Sequence, residues 1–340
     1  MKTERLLYID RLKGFTIFLV VLGHVLQYNT QNPFDNIIFN IIYSFHMPFF
    51  FFLSGYVANI TTKITSITSA ILFIKNKSIA LLIPMIAWPI IRHYFFTENV
   101  DLTSIFTIIY NQILDPSLWF LKTLYEILLV YLVFWIVSNY FNSKQHIFKD
   151  ILVLIFIASF LLAISYAIHS KEILTFLLNF VFFMIGVFLS KYESLKLLIQ
   201  NKIVLLSASL LFMALIGHFK FNELNFIYMK FLKVCITITV ITIFYNYSKT
   251  LKISKNIDDY LCLMGRNSLI IYVTHFSFFY VLNDKLLLSS DISFILLLIL
   301  TIPISLILIS LSMFIGRLIA LQPILNFLFY GVRIKNKNIN

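Results

Sequence analysis

The chain predicts an all-α, polytopic membrane bundle of about ten spans. Three observations carry that expectation: 60% of its 340 residues are hydrophobic and only 12% charged, the mean hydropathy is +0.91, and apolar runs near bilayer length recur along the sequence. A soluble domain is about half apolar and a quarter charged. A spanning helix needs about 20 apolar residues. The runs fall at 12–30, 34–60, 78–96, 118–141, 148–168, 173–190, 203–219, 226–247, 267–283 and 292–320.

Charge placement gives direction. With the N-terminus inside, the inner segments hold most of the 27 Lys and Arg, as the positive-inside tendency requires. The outer exceptions are Arg92, Lys122, Lys171, Lys220, Lys230, Lys233 and Lys285. Both termini are then cytoplasmic. The basic net charge of +12 is accounted for by cytoplasmic loops, so nucleic acid is not an expected partner. The first apolar run lacks a small-residue cleavage site, which predicts an uncleaved first helix. No linker or repeat divides 1–340, which reads as one integral-membrane domain. Cys235 and Cys262 have neither metal spacing nor a secreted context.

Span one carries the most informative pair. Lys13 and His24 are eleven residues apart, which on a helix returns to nearly the same face about 16 Å further along. Asp10 and Lys13 can meet three residues apart. Ionisable groups at membrane depth default to function. Span two adds Tyr43-Ser44-Phe45-His46-Met47-Pro48, where Pro48 frees the carbonyl of Ser44. Span nine opens Gly265-Arg266-Asn267-Ser268, with Asn267 or Ser268 able to cap a helix that reaches His275. Span four starts Leu118-Trp119-Phe120-Leu121 and carries Lys122 and Glu126 at i, i+4. Those two either pair with each other or help bind an acceptor. No metal-ligand spacing, P-loop, Gly-rich dinucleotide fingerprint or hydrolase elbow is present.

At these residues the chain resembles the membrane acyltransferase-3 family, many of whose members act on sugars and cell-surface polysaccharides. The resemblance rests on Ile9-Asp10-Arg11-Leu12-Lys13-Gly14 leading to His24, a basic residue ten positions before a histidine. It also rests on Phe45-His46-Met47-Pro48 with Leu53-Ser54-Gly55-Tyr56, on Leu118-Trp119-Phe120-Leu121, and on Asn267-Ser268-Leu269-Ile270-Ile271-Tyr272 before His275. The fucose 4-O-acetylase-like subgroup is the most similar. One departure is visible: before Leu81-Leu82-Ile83-Pro84 the family often carries two basic residues three apart, whereas here Lys77 is followed by Ala80. Lys75 and Arg11 are the cations that could compensate.

The resemblance implies transfer of an acyl group, most often acetyl, from acetyl-CoA to a hydroxyl, with no metal. The acceptor it implies is a cell-surface carbohydrate or a lipid-linked sugar, and the setting a bacterial plasma membrane. Arg11, Lys13, Lys75 and Lys77 would hold the donor's phosphates as charge-assisted donors. Asp10, Trp119, Lys122, Glu126 and Asn267 are further binding candidates. His24 would be the general base or a transient acyl carrier. Either His46 or His275 would orient reactants or stabilise the oxyanion. The competing class is a transporter or flippase for a polysaccharide or lipid-linked oligosaccharide, which buried His, Lys and Glu would also fit.

Overall fold

The computed structural model describes residues 6–62, 64, 66–96, 102–114, 117–140, 146–223, 226–250, 253–282 and 294–333. Of the cations used to orient the chain, Lys2, Arg5, Lys63, Lys144, Lys252, Lys285, Lys335 and Lys337 lie outside the described residues. Most of the described residues are helical, with no strand among them. In chain order the helices are α1 (Leu7–Asn29), α2 (Ile37–Thr61), α3 (Ile67–Phe96), α4 (Leu102–Leu114), α5 (Trp119–Tyr140), α6 (Ile147–Ala167), α7 (Lys171–Lys191), α8 (Glu193–Gln200), α9 (Lys202–Leu215), α10 (Phe226–Thr250), α11 (Lys255–Arg266), α12 (Ser268–Thr274), α13 (Phe276–Leu282), α14 (Phe294–Ala320) and α15 (Pro323–Tyr330).

Among the described residues seven helices are long and apolar enough to cross a bilayer: α2, α3, α5, α6, α7, α10 and α14. The pair α8 and α9, bent by 65°, makes an eighth if counted as one span. The chain is a multi-pass membrane protein. Three of the ten predicted segments fall on helices that do not pass that test alone, among them 203–219 on α9, which passes only together with α8. Another is α1, whose apolar run is diluted by Lys13, His24, Gln27 and Asn29. The third is α12 with α13. α12 ends at Thr274 and α13 begins at Phe276, yet His275 between them keeps helical angles, φ −59 and ψ −31, and its N–H bonds the Ile271 carbonyl at 3.0 Å, so Ser268–Phe279 runs as one short apolar helix. The helix does not start as expected, since no side chain at Asn267 caps α12.

The chain forms two compact units. The first comprises 1–53 and 194–322, the second 54–193 and 323–340. In the first, α1 and α11 cross at two glycines. A Cβ on Gly14 would run into the carbonyl of Leu261, and one on Gly265 into the carbonyl of Asp10. Small residues at a helix crossing let backbones approach and multiply van der Waals contact. α11 is amphipathic; its Cys262, Met264 and Gly265 are buried, so it covers α1 with one face only.

In the second unit the polar ends of α5, α6 and α7 are tied at one carboxylate. Asp150 is 1% exposed and accepts from Ser138 Oγ at 2.5 Å, Lys191 Nζ at 2.5 Å and Tyr192 Oη at 2.6 Å. A buried carboxylate persists when every acceptor position is engaged. Close packing of α2 on α7 follows from Gly55, where a Cβ would meet the backbone of Phe183. α15 folds back on α3: Trp88 Nε1 donates to the Phe329 carbonyl at 2.9 Å, and Gly331 turns with φ +61 against the backbone of Ile79 and Ala80. Ala80, the departure from the family's basic pair, therefore sits at a backbone crossing.

Candidate functional site

The first unit assembles a histidine pair. α1 runs unbroken from Leu7 to Asn29 and carries Lys13 and His24 as the spacing predicted. α12 and α13 meet at His275. The two imidazoles come together: His24 Nδ1 lies 2.9 Å from His275 Nε2, with ring centroids 5.2 Å apart and planes at 12°. His275 is fully buried, and its Nδ1 lies 2.8 Å from the Ile271 carbonyl.

That geometry fixes the protons. A carbonyl only accepts, so His275 Nδ1 must be the donor. In a neutral imidazole the other nitrogen is then an acceptor. His275 Nε2 therefore accepts from His24 Nδ1–H, and the same rule leaves the His24 Nε2 lone pair as the basic position. The relay runs in one direction, from the Ile271 carbonyl through His275 to His24, and it holds His24 in the tautomer a general base needs. Sequence spacing could name both histidines but not this contact, since it depends on how α1 packs against α12.

Aromatic rings enclose the pair. Phe276 stands 4.5 Å from the His24 ring and 4.7 Å from the His275 ring. Phe279 stands 6.2 and 6.1 Å from them. Tyr28, one turn beyond His24, stacks on Phe279 at 5.1 Å. Such rings restrict the imidazoles to one orientation and keep bulk water away.

His46 is the third member predicted for the site. It is buried, and its Nδ1 donates to the Ile42 carbonyl at 2.7 Å. Its ring packs against Tyr43 at 4.7 Å. It is close enough to His24 to act on it electrostatically, with no hydrogen bond between the two rings. Its fixed tautomer also leaves Nε2 as an acceptor.

The cationic mouth differs from its sequence reading. Arg11 grips Asp258 of α11 through both carboxylate oxygens, with Nη2 to Oδ2 at 2.8 Å, and through Nε to Oδ1. Its Nη1 donates to the Ser248 carbonyl. The Arg11 guanidinium holds the Asp258 carboxyl below the usual carboxylate range. Arg11 thus pins α1 to α10 and α11. Asp258 was not singled out by sequence reasoning; its signal is the amphipathic pattern around Asn256-Ile257-Asp258-Asp259, which places it on a helix. Lys13 lies half-buried on the same α1 face as His24. Asp10 is buried at the Gly265 crossing. Asn267 joins α11 to α12, and its amide donates to the Leu263 carbonyl at 2.8 Å, so its donor is engaged within the chain.

The other predicted binding residues belong to the second unit. Lys75 is exposed on α3, while Lys77 is half-buried with its ammonium 5.7 Å from the Phe73 ring centroid. Two residues apart, they point to different faces. Trp119 is the first residue of α5 and 42% exposed. Lys122 lies one turn from Glu126, within electrostatic reach of it. Among the described residues no group of three or more His, Cys, Asp or Glu could hold a metal ion.

Comparison with known proteins gives two partial likenesses and one that spans the chain. The nodulation protein NolL of Sinorhizobium fredii is 45% identical over 83 residues, which is 23% of this chain and 22% of that protein. NolL of Mesorhizobium japonicum is 36% identical over 89 residues, 25% of this chain and 23% of that protein. The chain thus matches less than a quarter of the length of either relative. No solved structure matches it. A family model described as an acyltransferase domain matches residues 6–311, a stretch that takes in His24, His46 and His275, and the chain accordingly belongs to the acyltransferase-3 family.

Proposed function

We propose that the chain is an integral-membrane O-acetyltransferase. It would move an acetyl group from cytosolic acetyl-CoA to a hydroxyl of a cell-surface carbohydrate or lipid-linked sugar, in a bacterial plasma membrane. In this reading it crosses the membrane ten times as one domain, with both termini cytoplasmic. The observation that carries the proposal is the directed hydrogen bond between His24 and His275, which leaves one basic nitrogen at membrane depth.

The chemistry follows from that nitrogen. A hydroxyl is a poor nucleophile toward a thioester until its proton is taken. His24 Nε2 accepts that proton as the oxygen attacks the acyl carbon. The imidazolium so formed keeps its Nδ1–H bonded to His275 Nε2. Collapse of the tetrahedral intermediate breaks the carbon–sulfur bond, and His24 returns the proton from Nε2 to the departing thiolate. The bonds formed and broken balance as one ester for one thioester, with no net proton change. General acid–base assistance of this kind contributes about 10²- to 10⁴-fold. His46, with its free Nε2 lone pair, serves to orient the acceptor hydroxyl.

Lys13 is the donor-side cation of α1, because Arg11 is committed to Asp258 and Ser248. Lys75 and Lys77 keep their reading as donor-binding residues, Lys122 and Glu126 as acceptor-binding ones, and Trp119 as a substrate-binding candidate. The test is turnover of purified His24→Ala and His24→Gln protein with acetyl-CoA and an acceptor glycan. A loss of about 10²-fold or more in both is expected, and near-wild-type turnover in both would overturn the assignment.

A further inference from the structure

Lys233 is a cation inside α10 that the acyl-transfer scheme does not use. Among the described residues no carboxylate pairs with it. Its ammonium lies 6.0 Å from the ring centroid of Phe219, a buried residue. One turn before it stands Lys230, its ammonium 5.0 Å from the Phe226 ring. Like charges at i, i+3 on one helix face repel, and an ionisable group in a span is costly to retain without a task.

Its depth can be read from the packing of α1 against α10. Arg11 reaches the Ser248 carbonyl, and Phe15 packs on Phe244 with centroids 4.9 Å apart. The two helices are therefore antiparallel and in register at that end. Thirteen residues along α1 lead from Arg11 to His24, and thirteen back along α10 from Ser248 lead to Cys235. Lys233 is two residues further, about 3 Å beyond the His24 level. It acts electrostatically on His46. It thus lies past the histidines from Arg11, on the side away from the donor's mouth.

The surroundings suit a carbohydrate. Phe34 and Phe221 stack at 5.5 Å with planes at 9°, and Tyr43 meets Phe221 at 5.2 Å. The Tyr43 hydroxyl donates to Gln27 Oε1 at 2.7 Å. Asn40 Oδ1 fixes the strip by accepting from the Phe221 N–H at 2.8 Å. The polar groups of this strip are engaged with one another, and what it offers outward is Phe221, 44% exposed, an apolar ring of the kind that packs on a sugar.

We infer that this end of the first unit is the acceptor subsite and that Lys233 binds an anionic group of the acceptor, a phosphate or a carboxylate. The inference rests on the acetyltransferase reading for the identity of the bound molecule as acceptor. A phosphate or carboxylate there would take charge-assisted bonds from Lys233 and offset its repulsion with Lys230. The anion is carried either by a lipid-linked sugar phosphate or by an acidic sugar.

The experiment uses full-length protein in nanodiscs and two matched probe pairs: farnesyl phosphate with farnesol, and p-nitrophenyl β-glucuronide with p-nitrophenyl β-glucoside. Binding is read by thermophoresis for wild type, Lys233→Gln and Lys233→Arg. Wild type is expected to favour the charged member of at least one pair by about tenfold or more. Preference in the first pair identifies the lipid phosphate as the source, and preference in the second the acidic sugar. Lys233→Gln should abolish the preference and Lys233→Arg keep it. Protection of Lys233 in wild type from an amine-reactive label, by the charged probe and not its neutral partner, supplies a readout that needs no variant. Absence of charge preference in both pairs, or an unchanged preference in Lys233→Gln, overturns the inference. Acetyl-CoA binding by wild type is measured in the same discs: its absence sinks the donor assignment while leaving anion binding at Lys233 intact.

Discussion

Replacing His275 tests whether the histidine pair works as one device. In His275→Ala the carbonyl of Ile271 keeps the backbone N–H of residue 275, which bonds it at 3.0 Å, so that acceptor is not orphaned. The group that loses its partner is His24 Nδ1–H, now bonded to His275 Nε2 at 2.9 Å. A buried donor left unsatisfied costs about 1–3 kcal/mol. At 1.36 kcal/mol per tenfold, that is a loss of about 5- to 160-fold in kcat, with KM for acetyl-CoA little changed. His275→Gln offers an amide oxygen in place of Nε2 and should recover much of the loss. The decisive measurement is a double-mutant cycle on turnover. Once His24 is alanine, His275 has nothing to position, so His24→Ala/His275→Ala should be no slower than His24→Ala alone. Losses that multiply would show two independent roles and refute the relay. Melting temperatures of the four proteins separate this effect from loss of fold.

Two further predictions concern the frame that holds α1. Asp258 has its carboxyl depressed below its ordinary value of 3.8 by Arg11, and the two side chains are 25% and 18% exposed. The native state thus favours the ionised form. The resulting stability is full above the unfolded value and is lost as pH falls below about 4 through the folded one. Asp258→Asn should lower stability by about 1–3 kcal/mol at pH 7 and flatten that acid limb in thermal melts; an unchanged limb would remove Asp258 as its source. Gly14→Leu forces a side chain into the Leu261 carbonyl and should cost at least about 1–3 kcal/mol, measured as a fall in melting temperature, whereas Gly217→Ala, with open space around it, should not.

What was legible in the sequence was what one helix can encode by itself. The apolar runs at 34–60 and 226–247 match α2 and α10 because burial in lipid needs only length and composition. Lys13 and His24 share a face because eleven residues of uninterrupted helix put them there. His24, His46 and His275 could be named as members of a site because each is a titratable group in an otherwise apolar run. Illegible were the features set by a partner far away in sequence. The bond from His24 to His275 spans 251 residues. It depends on how α1 packs against α12, which neither helix encodes by itself. Likewise Asn267 reads as a cap and instead donates to Leu263, because the turn joining α11 to α12 returns its amide to the helix before it.

The positive-inside count weighs every Lys and Arg alike, and so it could not tell Arg11 from Lys233. Their partners do. Arg11 sits at the end of α1 where phosphates would arrive, which made it a natural donor-binding candidate. Yet its fork is filled by a carboxylate and a carbonyl, and the local charge it contributes is offset by Asp258. Lys233 was one outer cation among seven. It has a ring beneath it and no carboxylate among the described residues, just beyond the level of His24. An ion's usefulness to a substrate depends on what already satisfies it, and by that measure the cation on the far side of the histidines is the better-placed ligand for an anion than the one at the mouth.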